Sequence, residues 1–259
     1  MDQRIRARRR DVTRQRGRRR ATLVLLAVLV LLAAAGFLWL RSSDIFAVKR
    51  VYANPTVHVT TEQIELAVAE AMGKNLLVLS TAGIAKRLLE FPYVRSVEVH
   101  RRFPDGLQVE IGEYEPVARV RVGEDIWLAA EDGRVLEKAA AARWASLPLV
   151  VSELSTAVQE GAKLPETTTG ALMVAKLVAE DKALAGVAKL NYVFVSTGGA
   201  VVLRLADGPE IRLGEPDNLD QKLKVASKII KDYLTEGKQL HYVDVSVPGR
   251  AAVSAVKAD

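Results

Sequence analysis

The sequence predicts an α+β protein with three parts: one N-terminal transmembrane helix, a small strand–helix–helix–strand–strand unit, and a mostly β second domain with two helices. Three observations predict this. No charged residue occurs between Ala21 and Leu40. From Ile45 to Tyr114, two apolar stripes of helical period lie among segments that alternate apolar and polar residues. From Glu115 to Ser254, short alternating runs separated by Gly-containing turns dominate, and helical periodicity returns twice.

The apolar run comes first. Ala21–Leu40 reads ATLVLLAVLVLLAAAGFLWL. At ~1.5 Å per residue it makes a helix of about 30 Å, the thickness of a bilayer's hydrocarbon core. Its eight Leu, three Val and one Phe contribute together about −4 to −7 kcal/mol to insertion, an upper bound because terminal positions count for less. Arg18, Arg19 and Arg20 precede it, Arg41 follows it, and Trp39 falls where interfacial aromatics belong. Residues 1–20 hold ten Arg against two Asp; the chain as a whole is +6, so residues 21–259 are slightly acidic. The excess of Arg predicts a cytoplasmic basic tail (1–20), a transmembrane helix (21–40) and an extracytoplasmic remainder. It also argues against nucleic acid as a partner, since the basic balance belongs to the tail. Ala33-x-Ala35 resembles a signal-peptidase site, but Phe37–Leu40 carries the apolar run past it, as in a retained anchor.

After the span, Ile45–Tyr52 is β-rich and Asn54-Pro55 marks a turn. Thr60 and Gln63 have capping-box spacing, and Ile64, Ala67, Val68 and Ala71 share one helical face that Gly73 ends. Ser80 or Thr81 caps a second helix with Ile84, Leu88 and Phe91 on one stripe. Val97 and Val99 alternate with polar residues in Val94–His100. Phe103-Pro104-Asp105-Gly106 turns the chain into Leu107, Val109 and Ile111. Neither helix can bury its stripe alone, so both are expected to cover a small sheet.

The second domain is read as Ala118–Val122 and Ile126–Ala130 around Gly123, an Asp132-Gly133 turn, and the apolar run Leu147–Val151. A helix from about Gly170 to Glu180 follows, capped within Thr167–Thr169. A hairpin joins Val193–Ser196 to Val201–Leu205, and a strand spans Glu210–Leu213. Asp217 or Asn218 caps a helix over Leu219–Leu234. His241–Val247 alternates as a strand before Pro248-Gly249-Arg250. Because no further strong strand follows it, this strand is expected to lie at a sheet edge, where its unpaired backbone can receive a partner strand.

Several runs together resemble the FtsQ/DivIB family of bacterial cell-division proteins. They are Lys74–Leu79 (KNLLVL), Phe91-Pro92-Tyr93-Val94, Arg101–Leu107 (RRFPDGL) and Glu113–Ala118 (EYEPVA). Asp132–Leu136 (DGRVL), Ile211–Gly214 with Lys222-Leu223, and Tyr242–Ser246 (YVDVS) continue the family's order. Phe103 stands where that family often has Trp, and Tyr114 where it often has a basic residue. The resemblance implies a POTRA-like domain over 45–114, an FtsQ-type β domain over 115–254 and a short tail at 255–259. It further implies a scaffold of the division machinery at the septum, linking early and late division proteins. The partners implied are FtsB-like and FtsL-like bitopic proteins, held at Tyr242, Val243, Asp244, Val245, Ser246, Val247, Pro248, Gly249 and Arg250.

No chemistry competes with that reading. The three His are isolated, there is no Cys, and no HExxH, GxSxG, P-loop or GxGxxG occurs. No enzyme activity, cofactor, metal or small-molecule substrate is expected. The alternative, a POTRA-containing outer-membrane transport or assembly component, requires a large C-terminal barrel. Its strands, at about 10 residues each plus loops, need more chain than follows Ala118.

Overall fold

From Leu23 on, the uncharged run folds with Arg41 as one helix, α1 (Leu23–Arg41), of 19 residues with mean hydropathy 2.9 and no buried residue. It is long and apolar enough to cross a membrane. The computed structural model describes residues 23–41, 43–139, 143–153, 157–180, 189–247 and 249–255. By its contacts the described chain divides into two compact units. The first holds residues up to Pro55 with Thr61–Arg87 and Val97–Glu110, and the second holds Thr56–Thr60, Leu88–Ser96 and Ile111 onward.

Past α1, a short 3-10 turn (Asp44–Phe46) leads into β1 (Arg50–Ala53), so the β-rich run expected from Ile45 is strand only in its second half. Two helices follow, α2 (Thr61–Val68) and α3 (Thr81–Leu88). The stripe read from α2 is buried at Ile64, Ala67 and Val68, and a 3-10 turn carries it on to buried Ala71. Gly73, at φ 75°, then reverses the chain in the left-handed region that suits glycine. Ser80 caps α3: its Oγ accepts the Gly83 N–H (3.3 Å). The hairpin β2 (Val94–Arg102) and β3 (Gly106–Glu113) completes a three-stranded sheet in the order β1-β3-β2, with β1 parallel to β3. β3 is central, so Leu107, Val109 and Ile111 are buried, whereas β2 at the rim is mostly exposed.

The other sheet has nine strands in the order β12-β11-β10-β9-β8-β7-β4-β5-β6. The strands are β4 (Pro116–Val122), β5 (Asp125–Ala130), β6 (Val135–Lys138), β7 (Leu149–Ser152), β8 (Leu190–Val195), β9 (Val201–Leu205), β10 (Glu210–Gly214), β11 (Leu240–Asp244) and β12 (Ala252–Ala255). Short turns join the antiparallel neighbours. Of the parallel pairs β4–β7, β7–β8 and β10–β11, the last two join strands consecutive in the chain and need crossovers, supplied by the helices α4 (Glu166–Glu180) and α5 (Leu219–Thr235). α4 lies on β4, β7 and β8, and α5 on β10 and β11. The core between them is almost all Val, Leu, Ile and Ala, fully buried at Val120, Val150, Leu172, Val193, Leu203, Ile211 and Leu223.

Two helix starts differ from expectation. α4 begins at Glu166, four residues before Gly170, directly after Pro165, whose fixed φ suits a helix start. The Thr run therefore lies inside the first turn, where Thr168 is buried within 3.2 Å of the Ser152 hydroxyl. Asn218 does precede α5, but at φ 46° and without a side-chain cap; its carbonyl accepts the Gln221 and Lys222 N–H groups instead.

Candidate partner-binding surface

The residues singled out for partner binding fall on β11 and the reversal after it. Tyr242, Val243 and Asp244 pair in parallel with Glu210, Ile211 and Arg212 of β10. Their other side is also occupied: Tyr242, Val243 and Asp244 stand opposite Ser254, Val253 and Ala252 of β12, antiparallel. The expected edge is thus an inner strand, and the rim lies one strand further out, at β12. The reason is local. The chain turns back after Val247 instead of ending, with Gly249 at φ 76° and the Arg250 N–H donating to the Val247 carbonyl (3.1 Å). Pro248 itself lies outside the described residues.

The selected side chains are divided by this arrangement. Val243 and Val245 belong to the buried core. Tyr242 is half-buried beneath the Arg212 guanidinium, 4.3 Å from its ring centroid. Asp244 stays local, its Oδ1 accepting from the Ser246 N–H (2.9 Å) and hydroxyl (2.6 Å). Ser246 Cβ packs close over Gly214. Val247 (54% exposed), Gly249 and Arg250 reach solvent. What the sequence reading passed over is Ala252-Val253-Ser254-Ala255. Its small residues give a weak β signal, and the Pro-Gly pair before it was the cue to a returning strand.

β12 has one neighbour, β11, so its outer backbone N–H and C=O groups are unpaired among the described residues. It carries no charge and no proline, and Val253 is 38% exposed. Beside it a cleft of ≈ 280 Å³ is lined by Gln221, Lys222 and Val225 of α5 and by Val245, Val247 and Ala251. Lys222 underpins this end of the sheet. It is buried, and its Nζ donates to the Leu213 and Glu215 carbonyls (both 2.9 Å) and to Asp217 Oδ1 (2.5 Å). That ammonium, through its hydrogen bond, holds the Asp217 carboxyl below its ordinary range.

Other motif residues serve as braces. Arg101 binds the Leu76 and Leu79 carbonyls (2.8 and 2.9 Å), and Arg134 binds the Pro92 carbonyl (2.9 Å). The Glu113 carboxylate accepts N–H bonds from Val57, His58 and Val59 (2.6, 2.8 and 2.7 Å). Partial burial works against its charge, but these three donors hold its pKa below the usual value. The three His are not brought together. His58 stacks on Tyr93 (centroids 4.2 Å), His100 lies 3.3 Å from Glu98, and His241 sits edge-on to Tyr242. Among the described residues no group of three or more His, Asp or Glu is placed to hold a metal.

Comparison with known proteins divides the chain similarly. Residues 46–114 match the model of the FtsQ-type POTRA domain, and residues 118–246 match that of the C-terminal region of cell division protein FtsQ/DivIB. A cell division protein FtsQ of Myxococcus fulvus is 27% identical over 223 residues, covering 85% of this chain and 76% of that protein. One from Streptomyces venezuelae is 28% identical over 242 residues (91% and 84%). A cell division protein DivIB of Macrococcus caseolyticus is 26% identical over 196 residues (73% and 62%).

Proposed function

The chain belongs to the FtsQ/DivIB family of bacterial cell-division proteins, and from that premise we propose that it is a non-enzymatic, single-pass scaffold of the division machinery. In this reading its basic tail is cytoplasmic, α1 anchors it in the inner membrane, and the folded remainder works outside the cytoplasm at the septum. Its partners are the extracytoplasmic segments of FtsB-like and FtsL-like bitopic proteins. The observation that carries the proposal is the open rim at β12. A partner strand laid along Ala252–Ala255 satisfies the unpaired backbone groups and extends the sheet to a tenth strand. An apolar side chain of that strand then enters the cleft between Val225 and Val247. Of the residues picked from sequence, Tyr242, Val243 and Asp244 support the rim as its paired neighbour, and Gly249 and Arg250 lie in the stretch leading to it.

Proline scanning along the rim tests this. An edge strand aims alternate N–H groups inward and outward, so of Val253→Pro and Ser254→Pro, one loses the inner bond to β11 and the other the outer bond to the partner. In the full chain reconstituted in nanodiscs, one of the two is expected to keep its melting temperature yet bind an FtsB-like segment about 10- to 100-fold more weakly, the equivalent of ~1.4–2.8 kcal/mol. Amide exchange at Val253 and Ser254 should slow when the segment binds. Binding that protects some other surface and leaves both amides unchanged would refute strand addition here.

A further inference from the structure

The chain is gripped as soon as it leaves α1. Asn75 Nδ2 donates to the Leu40 carbonyl (2.9 Å) and the Ser43 carbonyl (3.2 Å). The Leu76 N–H donates to the Phe46 carbonyl (2.8 Å), the Val48 N–H to the Lys74 carbonyl (3.0 Å), and the Gly73 N–H to the Val48 carbonyl (2.9 Å). These bonds hold residues 73–76 against the exit of the helix. The 19 residues of α1 rise by about 28 Å, nearly the full hydrocarbon thickness. Its last turn, and the loop bonded to it, therefore sit at the level of the lipid headgroups.

At that level a cleft of ≈ 440 Å³ opens, with Arg41, Lys74, Asn75, Ser80 and Arg87 among its lining residues. Arg87 is paired with Glu70. Arg41 and Lys74 are exposed and have no carboxylate partner among the described residues. The Ser80 oxygen accepts the Gly83 N–H, which leaves its own proton free to donate. Val78, which also lines the cleft, is 50% exposed, and its near neighbours in sequence Met72 and Leu77 are 45% and 37% exposed. Unpaired cations beside exposed apolar side chains suit a surface that rests in the bilayer interface.

We propose that this cleft binds the phosphate headgroup of an anionic phospholipid in the leaflet where α1 ends. Arg41 and Lys74 neutralise the phosphate, Ser80 donates to it, and Leu77 and Val78 rest against the first methylenes of the acyl chains. Free inorganic phosphate satisfies the cations but not the apolar rim, so the surface distinguishes the two.

The chain has no cysteine, so Val78→Cys places one environment-sensitive fluorophore at the rim. In full-length protein in nanodiscs, emission is expected to shift blue as phosphatidylglycerol replaces phosphatidylcholine. Lys74→Glu should raise the phosphatidylglycerol fraction at half-shift about fivefold or more, and Lys74→Arg should not. Lys74 is exposed, so circular dichroism should be the same for all three. Equal emission in both lipids, or an unchanged titration in Lys74→Glu, overturns the proposal. So does reversal of the shift by millimolar phosphate, which would make this a site for the free anion. As a measurement without the label, native mass spectrometry should find phosphatidylglycerol retained by the wild type and lost from Lys74→Glu; equal retention counts against the site.

Discussion

The two ends of the nine-stranded sheet solve the same problem differently. β6 ends the sheet on one side, but the chain returns to cover it. The Val135 N–H donates to the Ala162 carbonyl (2.9 Å), the Gly161 N–H to the Val135 carbonyl (2.8 Å) and the Leu164 N–H to the Gly133 carbonyl (2.8 Å). A bridge between Arg134 and Lys163 completes this strap. β12 ends the sheet on the other side, and no described segment crosses it. Exposed strand edges invite unwanted pairing, and proteins suppress them with cover, charge or proline. One rim here is covered by the chain itself, while the other, among the described residues, carries none of the three. The strand addition proposed at β12 rests on this contrast.

The largest expected effect lies beneath the open end. Lys222→Met keeps the bulk of the side chain but leaves the Leu213 and Glu215 carbonyls without their donor. It should lower unfolding stability by about 3 kcal/mol, measured by denaturant titration. Partner affinity should fall with it as β10 and β11 loosen. A stable variant that binds normally would mean the open rim needs no such support, and the contrast with the strapped end would weaken.

Next in size is a pair of glycines, one at each end. Gly133 has φ 86°, and a Cβ there would run into the Thr169 hydroxyl; Gly249 has φ 76° and open space around it. Gly133→Ala should therefore lose about 2–3 kcal/mol and Gly249→Ala about 1 kcal/mol. The first should also speed amide exchange at Val135, Gly161 and Leu164 as the strap detaches. Equal losses from the two would show that the covered end is no tighter than the open one.

The strand architecture was legible because alternation and turn chemistry agree along most of the chain. Leu107, Val109 and Ile111 read as one buried face, and they are. The strap at Gly161–Leu164 was not legible: it pairs without periodicity, and only its position beside β6 gives it a role. β12 escaped because four small residues cannot signal a strand by hydrophobicity, and its pairing with β11 arises from tertiary context. The sheet edge was accordingly expected one strand too far in. Lys222 was quoted within a motif, but a lysine on an amphipathic helix normally reads as solvated. Its burial is explained by the two backbone carbonyls that converge on its Nζ.

The smallest expected effect is a pH dependence confined to the open end. The Asp217 carboxyl, depressed by its hydrogen bond from Lys222, binds its proton more weakly folded than unfolded. Its contribution to stability is therefore complete above the unfolded carboxylate pKa of about 3.9 and fades as pH falls through the lower folded value. In Lys222→Met this part of the acid limb should flatten when stability is followed from pH 5 to pH 2. A limb of unchanged slope would assign the acid sensitivity to other carboxylates, Glu113 first among them.

The grip of Asn75 on Leu40 and Ser43 ties the last turn of the apolar helix to the loop at residues 73–76. A helix whose apolar length is fixed meets a thinner bilayer by tilting. Through these bonds, a tilt of the helix acts on the loop that Asn75 holds.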